Sequence, residues 1–420
     1  MRLLILAKHY LPYYSALSVR LSNMARRFCE KNRDIEIKIV VFDPDGAEFG
    51  ESDGSEERIE VRRYSRRFFP PSLLAPQSLN PLLLAWWIRI ILGEINEFHP
   101  DVVLATTSPF APVTGLYLAT LIGRRKVPYV VDYRDDLTSY IESIAEQSKS
   151  YVKYPLKAAN RLMSSLLFSS IRKASLVSAV DRTLQIELSK KNPRVLLVPN
   201  GIDVHEINEL REHFSRHAAL QKNGIPDTGS KIVVYIGDLN LPYNTPEVIF
   251  KPIRKLRDEG RDLIFVIIGN GIRKTFIEKM AEEMGLGGAA YFVGNMSHKN
   301  AMELLLASDV AFYTLQKGYS QSSHAIASKI YDYMGCKLPI LAVADPGSAI
   351  SEFISIGGLG ISVEWEKAGE MELALREILD SEVYKKNLDS RYASFIDEFD
   401  RYKGIDLLYE KLMEMMETGT

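Results

Sequence analysis

Short apolar runs alternate with longer helical patterns from one end of the chain to the other. In the first half, Leu3–Ala7, Glu36–Val41, Val102–Ala105, Tyr129–Asp132, Leu176–Val180 and Val195–Val198 predict strands. Between them Leu17–Lys31, Asn80–Phe98, Ala111–Ile122 and Lys157–Lys173 carry the apolar spacing of helices. Most strand candidates are near-continuous Val, Ile and Leu, as strands buried on both faces of a parallel sheet read. The second half repeats the arrangement, with strands expected at Ile232–Ile236, Leu263–Ile268, Ala290–Val293, Val310–Tyr313 and Ile340–Val343. Its helices are expected at Pro246–Asp258, Arg273–Glu283, Lys299–Leu306 and Ile326–Met334, with helix again from about residue 365 to the end. Such alternation implies right-handed βαβ units and an α/β fold of two doubly wound, Rossmann-like domains.

The joint is expected at Val198-Pro199-Asn200-Gly201-Ile202-Asp203, where Pro, Asn-Gly and Asp after a strand are turn chemistry. This gives domains of residues 1–200 and 201–385, followed by C-terminal helices over 386–420. Two such domains facing each other would put the carboxyl ends of both sheets at one cleft, where ligands of these folds bind. The polar, Gly-rich stretch Asp43–Glu60 reads as a mobile loop.

Composition narrows the class of protein. The 420 residues are 46% hydrophobic and 25% charged, enough to bury a large core. Two cysteines, Cys29 and Cys336, exclude a disulfide framework and fit a reducing compartment. The opening apolar run, Leu3–Ala7, is too short for a signal peptide, and no stretch is long enough to span a membrane. A cytoplasmic chain is therefore expected. The formal net charge of −2 argues against a nucleic-acid partner, but it conceals a division. Residues 1–200 hold 28 Lys and Arg against 21 Asp and Glu, whereas residues 201–420 hold 24 against 33.

Candidate chemistry lies mostly after strands. The first strand–loop–helix has no glycine, which disfavours a dehydrogenase-type dinucleotide site. Gly237-Asp238-Leu239 and Gly269-Asn270-Gly271 each follow a strand and precede a helix, where a phosphate could meet backbone N–H groups; tight turns explain the glycines equally well. In the helix Ala325–Met334, Ser328 and Asp332 share a face and Lys329 stands beside it, which could hold phosphate and a ribose diol, or be a chance charge pair. Seven scattered histidines make no metal pattern, and Asp43-Pro44-Asp45 reads as chance, so no metal is expected. Asp135 or Asp136 after the Tyr129–Asp132 strand could be a base or a sugar-hydroxyl acceptor, with Asp136 alternatively a helix N-cap. Arg62, Arg63, Arg66 and Arg67 beside Phe68 and Phe69 suit an anionic membrane surface or a lipid phosphate, while the helix after them reads better as core.

Taken in order, Val198–Asp203, Tyr235-Ile236-Gly237-Asp238-Leu239, Ile267-Ile268-Gly269-Asn270-Gly271, Tyr291–Asn295, Ala307–Val310 and Ser328–Met334 leading to Pro339-Ile340 resemble a GT-B glycosyltransferase of the family 4 type. The resemblance covers nearly the whole chain. It implies transfer of a sugar, with retention and without metal or other cofactor, from a nucleotide sugar (UDP- or GDP-linked) held by the second domain. The acceptor, a glycan or lipid-linked, would sit on the first domain, and the last helix would cross back onto that domain. The Ser328-Lys329 pair resembles the subgroup that assembles bacterial surface polysaccharides, which places the protein at most peripherally at the inner face of the membrane. The family's paired acidic positions fall on His324 and Asp332, and its basic diphosphate clamp on Asp238 and Asn244. The resemblance thus points to Asp135, His324 and Lys329 as catalytic. Gly237, Asp238, Asn244, Gly269, Gly271, Arg273, Met296, Ser328 and Asp332 would bind donor, with Lys329 and Arg273 supplying the positive charge. Ser15 and Ala16 replace the family's glycine pair near the acceptor, and Arg134 its histidine. A sugar-nucleotide 2-epimerase shares the architecture, and a non-catalytic scaffold of the same fold is the third reading.

Overall fold

The computed structural model describes all residues except 13–14, 44–57, 66–80, 108, 241–243, 317–325 and 419–420. The chain divides into two compact units, Met1–Asn200 with Tyr402–Thr420, and Gly201–Arg401. The first unit contains β1 (Arg2–Ala7), β2 (Glu36–Asp43), β3 (Ile59–Ser65), β4 (Val102–Thr106), β5 (Tyr129–Tyr133), β6 (Leu176–Ala179) and β7 (Val195–Leu197). They form one sheet in the order β3-β2-β1-β4-β5-β6-β7, every pair parallel. The second unit contains β8 (Lys231–Ile236), β9 (Leu263–Ile268), β10 (Ala290–Gly294), β11 (Val310–Thr314), β12 (Ile340–Val343) and β13 (Gly360–Val363). Their order, β10-β9-β8-β11-β12-β13, is again wholly parallel. In each sheet the order reverses beside the first strand, which leaves a crevice at the strand carboxyl ends where ligands of doubly wound folds bind.

The central strands are apolar on both faces because helices cover both. Residues Leu3 to Ala7 of β1 and all of Val102–Thr106 are buried. Helix Ala16–Lys31 turns Leu17, Leu21, Met24, Ala25 and Phe28 onto the first sheet, with Ser15 as its N-cap. Asp136, Asp181 and Asp203 cap later helices in the same way, each accepting a backbone N–H three residues on.

Two strands run against the expectation drawn from hydrophobicity. β3 occupies a stretch read as loop and basic surface; it is an edge strand, paired only with β2. Its Arg62 reaches Glu94 at 2.9 Å and Glu97 at 2.8 Å on the helix Pro81–Phe98, where buried Lys38 also meets Glu94 at 3.0 Å. β13 is short, begins at Gly360 and is likewise an edge strand. Residues 44–57 of the expected mobile loop lie outside the described residues.

The end of the chain departs from the expected boundary at residue 385. Helix Val383–Phe399 stays with the second unit, where Leu388 and Phe395 are buried and the Phe399 ring lies tilted 5.6 Å from that of Tyr331. Gly201, at φ 67°, lies so close to Phe399 and Arg401 that a Cβ would come within 2.7 Å of their backbone. Helix Arg401–Thr418 then packs Ile405, Leu408 and Leu412 into the core of the first unit, and Arg27 grips Asp406 with two 2.8 Å hydrogen bonds. Among the described residues no helix is long and apolar enough to cross a membrane.

Candidate functional site

In the second unit the loops after β8 and β9 are bound to each other. Gly237 N donates to Ile268 O at 3.0 Å, and Leu239 N to Asn270 O at 3.0 Å. A Cβ on Gly269 would overlap the carbonyl oxygen of Gly237, and one on Gly237 would overlap the Tyr235 hydroxyl. Loop-on-loop packing therefore demands glycine at 269, and the Tyr235 hydroxyl demands it at 237. Gly271 likewise approaches the Leu239–Asn240 backbone.

The expected cationic clamp is reordered here. Asp238 is exposed and accepts from Asn240 N at 2.8 Å, while the buried Asn244 amide donates to the Asp238 carbonyl at 2.8 Å. Asn244 thus shapes the loop. Arg273, expected to supply charge, is held by an ion pair with Glu247 and a hydrogen bond to the Asn244 carbonyl. Its charge is therefore matched locally by Glu247.

Lys329 is different. It lies in the first turn of helix Ser328–Gly335, whose N-cap, Ala327, offers no side-chain hydrogen bond. Its Nζ donates to Ile236 O at 2.9 Å and sits 4.8 Å from the ring centre of Tyr235 and 5.0 Å from that of Tyr313. Among the described residues no carboxylate hydrogen-bonds it. Burial lowers its pKa to about 8, with Asp238 pulling weakly the other way. Ser328, half-buried, is the first residue of the same helix. Tyr333 on the same helix accepts from Ile236 N at 3.2 Å and so pins the end of β8 beneath the lysine.

Asp332, one turn on, is held by a residue that sequence reasoning missed. The His298 imidazole bridges Glu206 Oε2 at 3.0 Å and Asp332 Oδ1 at 3.3 Å. Burial alone would push this imidazole down, but hydrogen bonds to Asp332 and Glu206 outweigh it and raise the pKa to about 10. An imidazolium thus orients the carboxylate. Met296, half-buried, packs on the core below. His324 lies outside the described residues.

In the first unit the ends of β4, β5 and β6 gather Thr106, Asp132 and Ser178. Asp132 is fully buried; Arg20 reaches it with Nε at 3.2 Å and Nη2 at 2.9 Å, and Ser178 Oγ donates at 2.6 Å. Burial opposes ionisation of Asp132, yet the Arg20 charge holds the carboxyl below the usual range. Arg20 was also missed; the signal was an arginine on the apolar face that Leu17, Leu21 and Met24 define. Arg134 is buried beside this pair, Asp135 is exposed, and Asp136 is the N-cap of helix Leu137–Gln147. Ser15 caps its helix, and Ala16 next to it is exposed. Arg62 is engaged as described, and Arg63 donates to the Leu11 carbonyl, so these two arginines are turned into the protein rather than offered to a membrane. Arg66, Arg67, Phe68 and Phe69 lie outside the described residues, as does Asp45 of the Asp-x-Asp. Among the described residues, no group of three or more His, Cys, Asp or Glu is placed to hold a metal.

Comparison with known proteins agrees with this architecture along the chain. The family model described as Glycosyltransferase Family 4 matches residues 17–206, and that described as Glycosyl transferases group 1 matches residues 216–393. An uncharacterized glycosyltransferase of Methanocaldococcus jannaschii is 20% identical over 419 residues, covering 99% of this chain and 98% of that protein. Among solved structures, WaaG, a glycosyltransferase involved in lipopolysaccharide biosynthesis, superimposes with a TM-score of 0.68 at 14% identity, over 97% of this chain and 98% of its own. The UDP-GlcNAc 2-epimerase of Neisseria meningitidis, bound to UDP-GlcNAc, gives a TM-score of 0.61 at 15% identity, over 99% of this chain and 100% of its own. At these identities the two structures speak for the fold alone.

Proposed function

The chain belongs to the GT-B glycosyltransferases of the family 4 type, and from that premise we propose that it moves a sugar from a nucleoside-diphosphate donor to a glycan or lipid-linked acceptor, with retention and without metal. The second unit takes the donor and the first the acceptor. The observation that carries this reading is Lys329: an ammonium with no carboxylate partner among the described residues, at the uncapped start of a helix. Negative charge grows on the diphosphate as the glycosidic bond breaks. A preorganised cation and the first-turn N–H groups oppose that charge more strongly in the transition state than in the ground state.

Asp332 accepts from the ribose hydroxyls, held in place by His298 and Glu206. The Val293–Met296 loop frames a uracil or guanine base, and Asp135 orients the acceptor or the donor sugar. The Ser328-Lys329 pair, which resembles that of the surface-polysaccharide subgroup, supports a place in surface polysaccharide or glycoconjugate assembly, in the cytoplasm or at the inner face of its membrane.

A nucleotide-sugar panel without acceptor, followed by acceptor addition, tests the reading. Slow donor hydrolysis that becomes transfer on addition of acceptor supports it. Interconversion of donors with no acceptor would replace it with a 2-epimerase. The absence of any nucleoside-diphosphate shift in melting temperature would favour a non-catalytic scaffold.

A further inference from the structure

The strand ends of the first unit hold a charge imbalance that the proposed transfer does not use. Two guanidinium groups and one carboxylate are buried together: Arg20 is 4% exposed, Asp132 0% and Arg134 8%. Both Asp132 oxygens are engaged, Oδ1 by Arg20 and Ser178 and Oδ2 by Arg20. Arg134 receives neither of them. Its one side-chain hydrogen bond, to Asn200 Oδ1, is 3.5 Å long, and its Nε has no partner among the described residues. Asp135 attracts it through space but is exposed and makes no hydrogen bond to it. Thr106 Oγ1, on the residue in register with Asp132 at the end of β4, is also buried without a partner among the described residues. Burial pushes Arg134 below the ordinary arginine range, with the neighbouring Arg20 charge acting in the same direction.

An arginine stays charged, and its planar fork matches an oxyanion in two hydrogen bonds. A buried one with no hydrogen-bonded anion, at the carboxyl ends of a doubly wound sheet, marks where a ligand anion belongs. We propose that Arg134 is an anion subsite, and that the acceptor carries a phosphate or carboxylate that it receives. This rests on the reading of the first unit as the acceptor-binding unit. It moves the recognition of acidic acceptors away from Arg62 and Arg63 to the strand ends. A neutral acceptor would leave the Arg134 charge unmatched.

Inorganic phosphate and, separately, glucuronate are titrated into the full chain at low ionic strength and followed by calorimetry. The wild type and Lys329→Ala are expected to bind at least one of them, phosphate pointing to a phosphorylated acceptor and glucuronate to a uronate. Arg134→Gln is expected to weaken that binding about tenfold or more. Arg134→Lys, which keeps the charge but loses the fork, is expected to weaken it severalfold and serves if the glutamine variant fails to fold. Unchanged affinity in the folded variants, or no binding of either anion by the wild type, overturns the proposal. Nucleoside-diphosphate binding in the same samples separates the two readings. If the diphosphate binds and neither anion does, only the subsite falls; if anions bind through Arg134 and the diphosphate does not, the transferase reading falls.

Discussion

The carboxyl ends of the two sheets solve the same electrostatic problem with different groups. In the first unit the cations are arginines, Arg20 and Arg134, buried beside one carboxylate, Asp132, whose oxygens go to Arg20 and not to Arg134. In the second the cation with no carboxylate partner among the described residues is a lysine resting against two aromatic rings, and the neighbouring carboxylate, Asp332, is matched by an imidazolium. The first arrangement keeps its charge at any physiological pH. The second carries charge that burial and partners have moved toward neutral pH in one case and away from it in the other. A unit drawn from the acidic half of the chain thus makes a local positive site with one ammonium, because its other nearby cation, Arg273, is matched by Glu247.

The contrast breaks most visibly at Asp132. Asp132→Asn removes, among the described residues, the one buried carboxylate beside two buried guanidinium groups, and should cost about 3–5 kcal/mol in denaturant-monitored stability. A loss below about 1 kcal/mol would mean that water reaches the pair. Lys329→Ala should lower kcat by about 10²–10³ while leaving stability nearly unchanged. Its partner experiment is pH: nucleoside-diphosphate affinity should be highest below the lysine pKa and fall as pH rises through about 8, a dependence lost in Lys329→Ala.

His298→Gln should cost about 1–3 kcal/mol near pH 6. The imidazole's pKa is raised from 6.5 to about 10, so its contribution is fully present below 6.5 and is lost as pH rises through about 10. The gap between variant and wild type in stability curves should therefore close at alkaline pH; a gap independent of pH would remove the imidazolium from the account. The smallest effect sharpens the comparison from the other side. Arg273→Ala should change nucleoside-diphosphate affinity by less than about twofold, since an ion-paired guanidinium offers little net field to a ligand. A tenfold loss by calorimetry would return Arg273 to the site.

The buried centre of each sheet was legible because a parallel strand covered on both faces must be apolar throughout, as Leu3–Ala7 and Leu263–Ile268 are. β3 was not, because an edge strand can carry Arg62 and Arg63 and satisfy them with Glu94, Glu97 and a loop carbonyl that sequence order does not place nearby. The same holds at the site. Ser328, Lys329 and Asp332 lie within a helix turn or so of one another, so spacing alone could bring them together. Glu206 stands 92 residues before His298, and Arg20 stands 112 before Asp132; only the fold joins them. The ion pair of Arg273 was illegible for that reason, because its partner, Glu247, lies across a loop rather than on its own helix.

The last helix carries a consequence for how the protein is made. Residues 201–401 are contiguous, so the second unit is complete in sequence as soon as Arg401 has left the ribosome. The first unit, though begun earlier, lacks Ile405, Leu408 and Leu412 from its core until those residues too have been made. Vectorial synthesis therefore delivers the domains in reverse order of completion. A nascent chain halted near residue 400 would leave exposed the part of the first unit's core that these three side chains complete, a surface for chaperones to shield.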